Sequence, residues 1–84
     1  MNIGTRVFAI SHATEDTVYS YGQGVYAGEE PVMIETMKID IPVIKLDSGF
    51  KVYGAQCWWG PIEDEEKTIA GRTVVMVTPG EVKE

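Results

Sequence analysis

Cys57 and His12 are the side chains that could supply a nucleophile and its base. They fall on two different predicted strands, and no Asn or Asp is placed to orient the imidazole. A lone cysteine between aromatic residues is more typical of a small buried hydrophobe. One cysteine and one histidine cannot fill a four-ligand zinc site either. The sequence therefore predicts no catalytic residue, no metal ion and no cofactor.

The carboxylates form no acid–base pair that spacing would fix, but they form one dense run at residues 63–66. The chain holds 13 acidic and 7 basic residues, for a net charge of −6. Direct DNA or RNA binding is not expected, because it needs clustered Lys and Arg to neutralise phosphates. The acidic run is most often a solvated helix face, and the alternative is an acidic patch that meets a basic partner protein.

The adjacent tryptophans Trp58 and Trp59 predict a binding surface. Neighbouring strand residues point to opposite faces, so both indoles cannot enter one core layer. Regular alternation would give a core face of Tyr53, Ala55, Cys57 and Trp59, and an opposite face of Val52, Gly54, Gln56 and Trp58. The second face sets an indole beside a glycine and an amide, which suits a shallow stacking platform.

The candidate ligand- or partner-binding residues are Trp58, Gln56, Tyr21, Tyr26 and Arg72. In a site for a nucleotide-type ligand, an aromatic ring would stack on the base while Gln56 reads its edge and Arg72 meets a phosphate. In a protein-binding site, an exposed tryptophan would be the anchor and the acidic run its rim. Each aromatic residue alone is more typical of a core margin, but together they exceed what a small core needs.

Strand periodicity dominates the elements that must position these residues. The predicted strands, separated by polar, Gly- and Pro-containing turns, cover 6–13, 17–27, 39–46, 50–59 and 72–78. Residues 28–31 would end the second strand, and residues 32–38 would form a loop that crosses the barrel. Gly22 and Gly24 predict a bulge or bend, and Pro42 predicts an edge or bulge position. The Asp47-Ser48-Gly49 turn predicts a hairpin.

The residue pattern changes from that of strands to that of a helix at Pro61. This proline stands at the first position of a predicted helix over about 61–70. Acidic residues follow it in the first turn and Gly71 ends the helix. Ile62 and Ile69, seven residues apart, would cap one end of a barrel. The sum is a mostly β protein: a small SH3-like barrel or a strongly bent five-stranded antiparallel sheet, with one short helix before the last strand. An open α+β sheet is the competing architecture.

The length of 84 residues predicts a single domain over 1–84, with a flexible tail at 79–84. No apolar run approaches the roughly 20 residues of a membrane span. The N-terminal residues lack the basic and apolar regions of a secretory signal, and one cysteine cannot form an internal disulfide. A cytoplasmic protein without membrane contact is therefore expected.

The most distinctive motifs are Ile3-Gly4-Thr5-Arg6-Val7, Gly24-Val25-Tyr26-Ala27-Gly28, Leu46-Asp47-Ser48-Gly49 and Cys57-Trp58-Trp59-Gly60-Pro61. In these motifs the chain resembles small uncharacterised proteins of bacteriophages and prophages. The resemblance covers most of the chain and implies a phage accessory protein in the cytoplasm of a bacterial host. Many phage proteins of this size act as counter-defence factors, either by sequestering nucleotide signals or by blocking a host enzyme through direct contact.

Three functions follow as hypotheses. The first is a non-enzymatic module that binds a host protein through an exposed aromatic patch. The second is a sponge for a nucleotide-type signalling molecule, which would have to gather Arg6, Lys51 and Arg72 into one pocket of an acidic protein. The third is an enzyme that uses Cys57. The net charge of −6 favours the first hypothesis, the module that binds a host protein. A homodimer is also possible, with the open edge strand and Trp58 in its interface.

Overall fold

The computed structural model describes residues 1–79, and these form a six-stranded sheet that stays open. The strands are β1 Arg6–Ala13, β2 Thr17–Ile34, β3 Met37–Leu46, β4 Lys51–Tyr53, β5 Trp58–Pro61 and β6 Thr73–Met76. Their order is β4-β3-β2-β1-β5, with β6 paired to β2. All pairings are antiparallel except the one between β2 and β6. The predicted mostly β fold is confirmed as an open sheet and not as a closed barrel.

The predicted helix is present as a 3₁₀ turn, Ile62–Asp64, followed by the short helix α1, Glu65–Ile69. Pro61 precedes it, and acidic residues occupy its first turn, as the sequence pattern indicated. Ile62 and Ile69 pack against the buried cluster of Phe8, Ile10 and Val18. Two isoleucines thus fix a segment that is too short to be helical alone.

A second cluster lies on the other face of β1. It contains Val7, Ala9, Ile44, Leu46 and Val52, and the partly buried residues packed on it are Tyr21, Tyr26, Cys57 and Trp59. Because side chains alternate along a strand, β1 contributes Val7 and Ala9 to this cluster and Phe8 and Ile10 to the other. β1 is therefore buried on both faces and joins the two halves of the core.

β2 is longer than predicted, because the residues expected to end it form a bulge instead. The register with β3 shifts between Tyr26 and Glu29, and Gly28 has a φ of 96° inside that shift. Beyond it, β2 continues to Ile34 and pairs with β3, so residues 32–38 form a hairpin and not the predicted crossing loop. Pro31 is tolerated there because no described strand pairs with the outer edge of β2 past Val25.

The predicted bulge and edge positions were largely right. The register between β1 and β2 shifts around Ile10, next to Gly22, which has a φ of 95°. Pro42 lies opposite Glu29, beside the second bulge. The Asp47-Ser48-Gly49 turn closes the predicted hairpin, where Gly49 has a φ of 101° and the Leu46 N–H donates to the Phe50 carbonyl.

The single strand predicted over 50–59 was wrong. A 3₁₀ turn, Gly54–Gln56, separates β4 from β5, and β5 crosses to the opposite edge of the sheet and pairs with β1. The turn breaks the regular alternation, so Val52 enters the core and does not share a face with Trp58. An added Cβ on Gly54 would collide with the Trp59 ring, so the crossing needs a glycine there.

The last predicted strand is shorter than 72–78 and runs parallel to β2. Thr17 to Ser20 of β2 face Thr73 to Met76 of β6, which lies along the same edge of β2 as β3. Of the predicted tail, 79–84, all residues except Pro79 lie outside the described part of the chain. In residues 1–79 we find no helix of the length and apolarity needed to cross a bilayer.

Candidate functional site

Trp58 and Trp59 point to opposite sides of β5, as alternation requires. Trp59 packs on the core, and its ring lies parallel to that of Tyr26, with an interplanar angle of 3° and centroids 5.7 Å apart. Trp58 is 75% exposed. β5 pairs with β1 on one side, and no described strand pairs with its other side. One indole therefore completes the fold, and the other is presented to solvent from an edge strand.

Two shallow grooves flank the Trp58 ring. The first has a volume of about 410 Å³ and is lined by Ser11, Ala55, Gln56, Cys57 and Trp58. The second has a volume of about 240 Å³ and is lined by Phe8, Ile10, Trp58, Trp59, Gly60, Pro61, Asp64 and Thr68. We call Trp58 with these two grooves the Trp58 surface. It offers a projecting apolar ring with a polar groove on one side and an apolar groove on the other.

Gln56 is the candidate residue that the fold brings beside Trp58. It ends the 3₁₀ turn that precedes β5, is exposed and lines the first groove. It also lines two cavities on the β4 side, of about 220 and 350 Å³. The predicted pairing of an indole with an amide is present, although it arises from a turn and not from a regular strand.

The other three candidate residues lie elsewhere. Tyr26 stacks on Trp59 at the core margin, and Tyr21 packs on the same core cluster. Tyr21 also lines the 220 Å³ cavity with Lys51, Val52, Tyr53, Gln56, Cys57 and Pro79. Arg72 is exposed between α1 and β6, and lines none of these four cavities.

Two of the cations that a phosphate site would use are engaged by carboxylates. Arg6 donates from Nη1 and Nη2 to the two oxygens of Asp47 at 2.9 and 2.6 Å. Lys51 Nζ lies 3.1 Å from a Glu30 oxygen, and the Tyr53 hydroxyl donates to the other oxygen at 3.2 Å. These hydrogen bonds hold the pKa of Asp47 and of Glu30 below their usual values and raise those of Arg6 and Lys51.

The side chains of Cys57 and His12 each interact with nearby residues of the fold. Burial raises the pKa of the Cys57 thiol, which disfavours the reactive thiolate, and Sγ donates to the Tyr53 carbonyl at 3.5 Å. The His12 ring stacks on Tyr19 with centroids 4.3 Å apart, and Nδ1 lies 3.1 Å from the Ser11 hydroxyl. Within residues 1–79, no three His, Cys, Asp or Glu side chains are grouped to hold a metal ion.

The acidic run borders the Trp58 surface. Asp64 lines the apolar groove beside the indole, and Glu63 and Glu66 are exposed. Glu65 is half-buried and accepts a hydrogen bond of 2.7 Å from Gln23 Nε2. Three carboxylates of the run are thus solvated, and the fourth ties α1 to β2.

One exposed surface, the hairpin between β2 and β3, was not expected from the sequence. Its apolar residues Met33, Ile34, Met37 and Ile39 are all exposed. The i, i+2 spacing of Val32 with Ile34 was a readable strand signal, but Gly28 and Pro31 masked it as a loop.

No protein-family model matches the chain, and comparisons with curated proteins and with solved structures find no significant similarity.

Proposed function

We propose that this protein is a non-enzymatic binding module that inserts Trp58 into an apolar pocket of a partner protein. The exposure of Trp58 supports this most directly, because a 75% exposed indole leaves a large apolar area in water. Trp59, in contrast, is partly buried and packs against the core from the same strand. Tryptophan is also among the residues that most often carry binding energy at protein interfaces.

The surroundings of Trp58 favour a partner with a basic rim. Asp64 lines the groove beside the indole, and Glu63 and Glu66 are exposed in the same run. With a net charge of −6, the chain would attract Lys and Arg that surround the partner's pocket. On the other side, the Gln56 amide can exchange hydrogen bonds with the partner's backbone.

The nucleotide-sponge alternative is less well supported by charge. Arg6 and Lys51 already carry carboxylate partners, and Arg72 lines none of the cavities described above. A phosphate bound by Arg6 or Lys51 would have to displace Asp47 or Glu30 from that cation. We therefore propose a protein target. That this target is a host protein, and the role counter-defence, rests on the resemblance to phage proteins.

The test begins with the tagged protein purified from a bacterial host, with co-purified proteins identified by mass spectrometry. Each protein recovered is then purified, and its affinity for the wild type, Trp58→Ala and Phe50→Ala is measured by calorimetry. Phe50 is the control, since it is an exposed aromatic residue in the turn before β4. Trp58→Ala should weaken binding about 30-fold or more, as expected of an interface anchor. Phe50→Ala should change the affinity by less than about 3-fold.

A partner that binds Trp58→Ala as tightly as the wild type would contradict the proposal. Native mass spectrometry distinguishes the alternative function. A bound mass of several hundred daltons per chain would indicate a captured small molecule and would replace the protein target with the sponge.

A further inference from the structure

The hairpin of β2 and β3 projects as a two-stranded arm. Among the described residues, 29–34 and 37–42 pair only with one another, because the last β1 pair is Arg6 with Val25 and β4 begins opposite Val43. An isolated two-stranded ribbon is marginally stable in water and needs a surface to pack on. Among residues 1–79, no third strand pairs with the outer part of the arm.

One face of the arm is apolar. Residues directly opposite in an antiparallel pair share a face, and so do residues two apart along a strand. The register sets Ile34 opposite Met37, Val32 opposite Ile39, and Glu30 opposite Ile41. We call the apolar members of these rows the arm face: Val32, Ile34, Met37, Ile39 and Ile41.

The arm face is exposed at its tip, and a cavity extends along it from Ile34 near the tip to Tyr53 beside the base. Met37 is 64% exposed, Ile34 48% and Ile39 38%, whereas Ile41 is buried. A cavity of about 350 Å³ opens along this face, lined by Val32, Ile34, Ile41, Tyr53, Ala55 and Gln56. The reverse face carries Lys38 and Asp40, with Met33 and Pro31 opposite them.

The arm carries opposite charges at its two ends. The tip turn carries Glu35, with a φ of 57°, and at the base Lys45 and Lys51 lie directly opposite each other. Glu30 neutralises Lys51, and Lys45 makes no ion pair with any residue of 1–79. Lys45 lies eight residues after Met37 on β3, which corresponds to about 26 Å along the strand. A negative tip and a positive base are thus separated by an apolar stretch.

We propose that a second copy of this chain docks on the arm face with its arm antiparallel. Ile34 and Met37 at each tip then cover the part of the other copy's cavity that lies beside Tyr53, and Glu35 of each copy approaches Lys45 of the other. A two-fold axis through the middle of the arms relates the two copies. Each of these two contacts therefore occurs twice, as an isologous interface requires. The central rows carry no unpaired charge, so the contact itself sets no like charges against each other between two chains of net charge −6.

The arm supplies a matched pair of variants for the test. Met33 and Met37 are the same residue type with almost equal exposure, 63% and 64%, but they lie on opposite faces of the same ribbon. Sedimentation velocity of the full chain is measured from about 1 to 100 µM, a range that covers micromolar association. We expect a wild-type dimer, a loss of association of about 10-fold or more in Met37→Glu, and a change below about 3-fold in Met33→Glu.

A charge exchange tests the antiparallel orientation and does not depend on the fold tolerating a glutamate at Met37. Glu35→Lys should weaken the dimer, and Glu35→Lys with Lys45→Glu should restore it. Trp58→Ala should leave it intact, which separates this interface from the proposed partner surface.

A wild type that is monomeric at about 100 µM would overturn the proposal. So would equal effects of Met33→Glu and Met37→Glu, no rescue by the charge exchange, or a dimer that Trp58→Ala dissociates.

Discussion

Gly24 lies in β2 between two strands, opposite Val7 of β1 and Leu46 of β3. It is buried and has an extended backbone, so its role is to allow β2 and β3 to approach closely. We predict that Gly24→Ala is strongly destabilising. The variant removes no contact and no hydrogen bond, so any loss of stability comes from the added methyl group.

The magnitude follows from the atoms that the methyl group would meet. An added Cβ would collide with the Lys45 carbonyl oxygen and would stand 2.7 Å from the Leu46 Cα and 2.9 Å from the Lys45 carbonyl carbon. Ordinary contact begins at 3.4 Å, so β3 would have to move at least about 0.7 Å to relieve the Leu46 contact alone, and further to relieve the Lys45 oxygen. These are backbone atoms that cannot rotate aside. The cost should therefore lie at the upper end of overpacking, about 3 kcal/mol.

Gly60→Ala is the matched control, because Gly60 is also a strand glycine opposite a β1 residue, Phe8. A Cβ at Gly60 would stand 3.6 Å from the Phe8 ring, an ordinary contact. We expect its unfolding free energy to stay within about 1 kcal/mol of the wild type.

The measurement is urea unfolding followed by tryptophan fluorescence, which Trp59 reports from the core margin. In a thermal unfolding experiment, the same loss of 3 kcal/mol in a domain of this size should lower the Tm by about 12–24 °C. A Gly24→Ala variant within about 1 kcal/mol of the wild type would refute the argument, and so would a Gly60→Ala variant that is destabilised as much.

Two further predictions concern titration. The pKa values of Asp47 and Glu30 are lowered in the folded protein by Arg6 and Lys51, so these pairs stabilise it above the usual carboxyl pKa values of 3.8 and 4.5. The stability difference between the wild type and a variant with Asp47→Asn and Glu30→Gln should therefore shrink as the pH falls from about 6 to about 2, and a constant difference would contradict this. Burial raises the pKa of the Cys57 thiol in the folded protein. A thiol reagent at about pH 8 should therefore label native protein at least about 10-fold more slowly than protein unfolded in urea. Equal labelling rates would refute this prediction.

Local chemistry was enough to predict most elements of the fold. Alternation and a polar turn gave β1 its observed bounds, Arg6–Ala13. Gly49 predicted the β3–β4 hairpin, and Pro61 with the acidic residues that follow it predicted the helical segment. Both elements are present in the structure. The errors occur where a local signal has two meanings. Gly28 and Pro31 mark a strand end in most sequences, but here they mark a bulge and an unpaired edge inside β2.

The candidate site was less predictable, because it depends on which strands become neighbours. Adjacency along the chain placed Trp58 and Trp59 on opposite faces, and the structure makes Trp58 the exposed one. Gln56 joins Trp58 only through the 3₁₀ turn between β4 and β5. Tyr26 was a candidate for stacking on a ligand or partner, and in the structure it stacks on Trp59 because β5 crosses the sheet.

The sequence by itself determined the strand character, the turns, the short helix and the acidity of this protein, because these depend on side-chain type and on spacing of a few residues. Only the tertiary structure decided that β5 pairs with β1, that β6 runs parallel to β2, and that the β2–β3 arm projects with an apolar face. Those outcomes depend on pairing between residues far apart in the chain. Such pairing is set by how the whole core packs, and local patterns do not encode it.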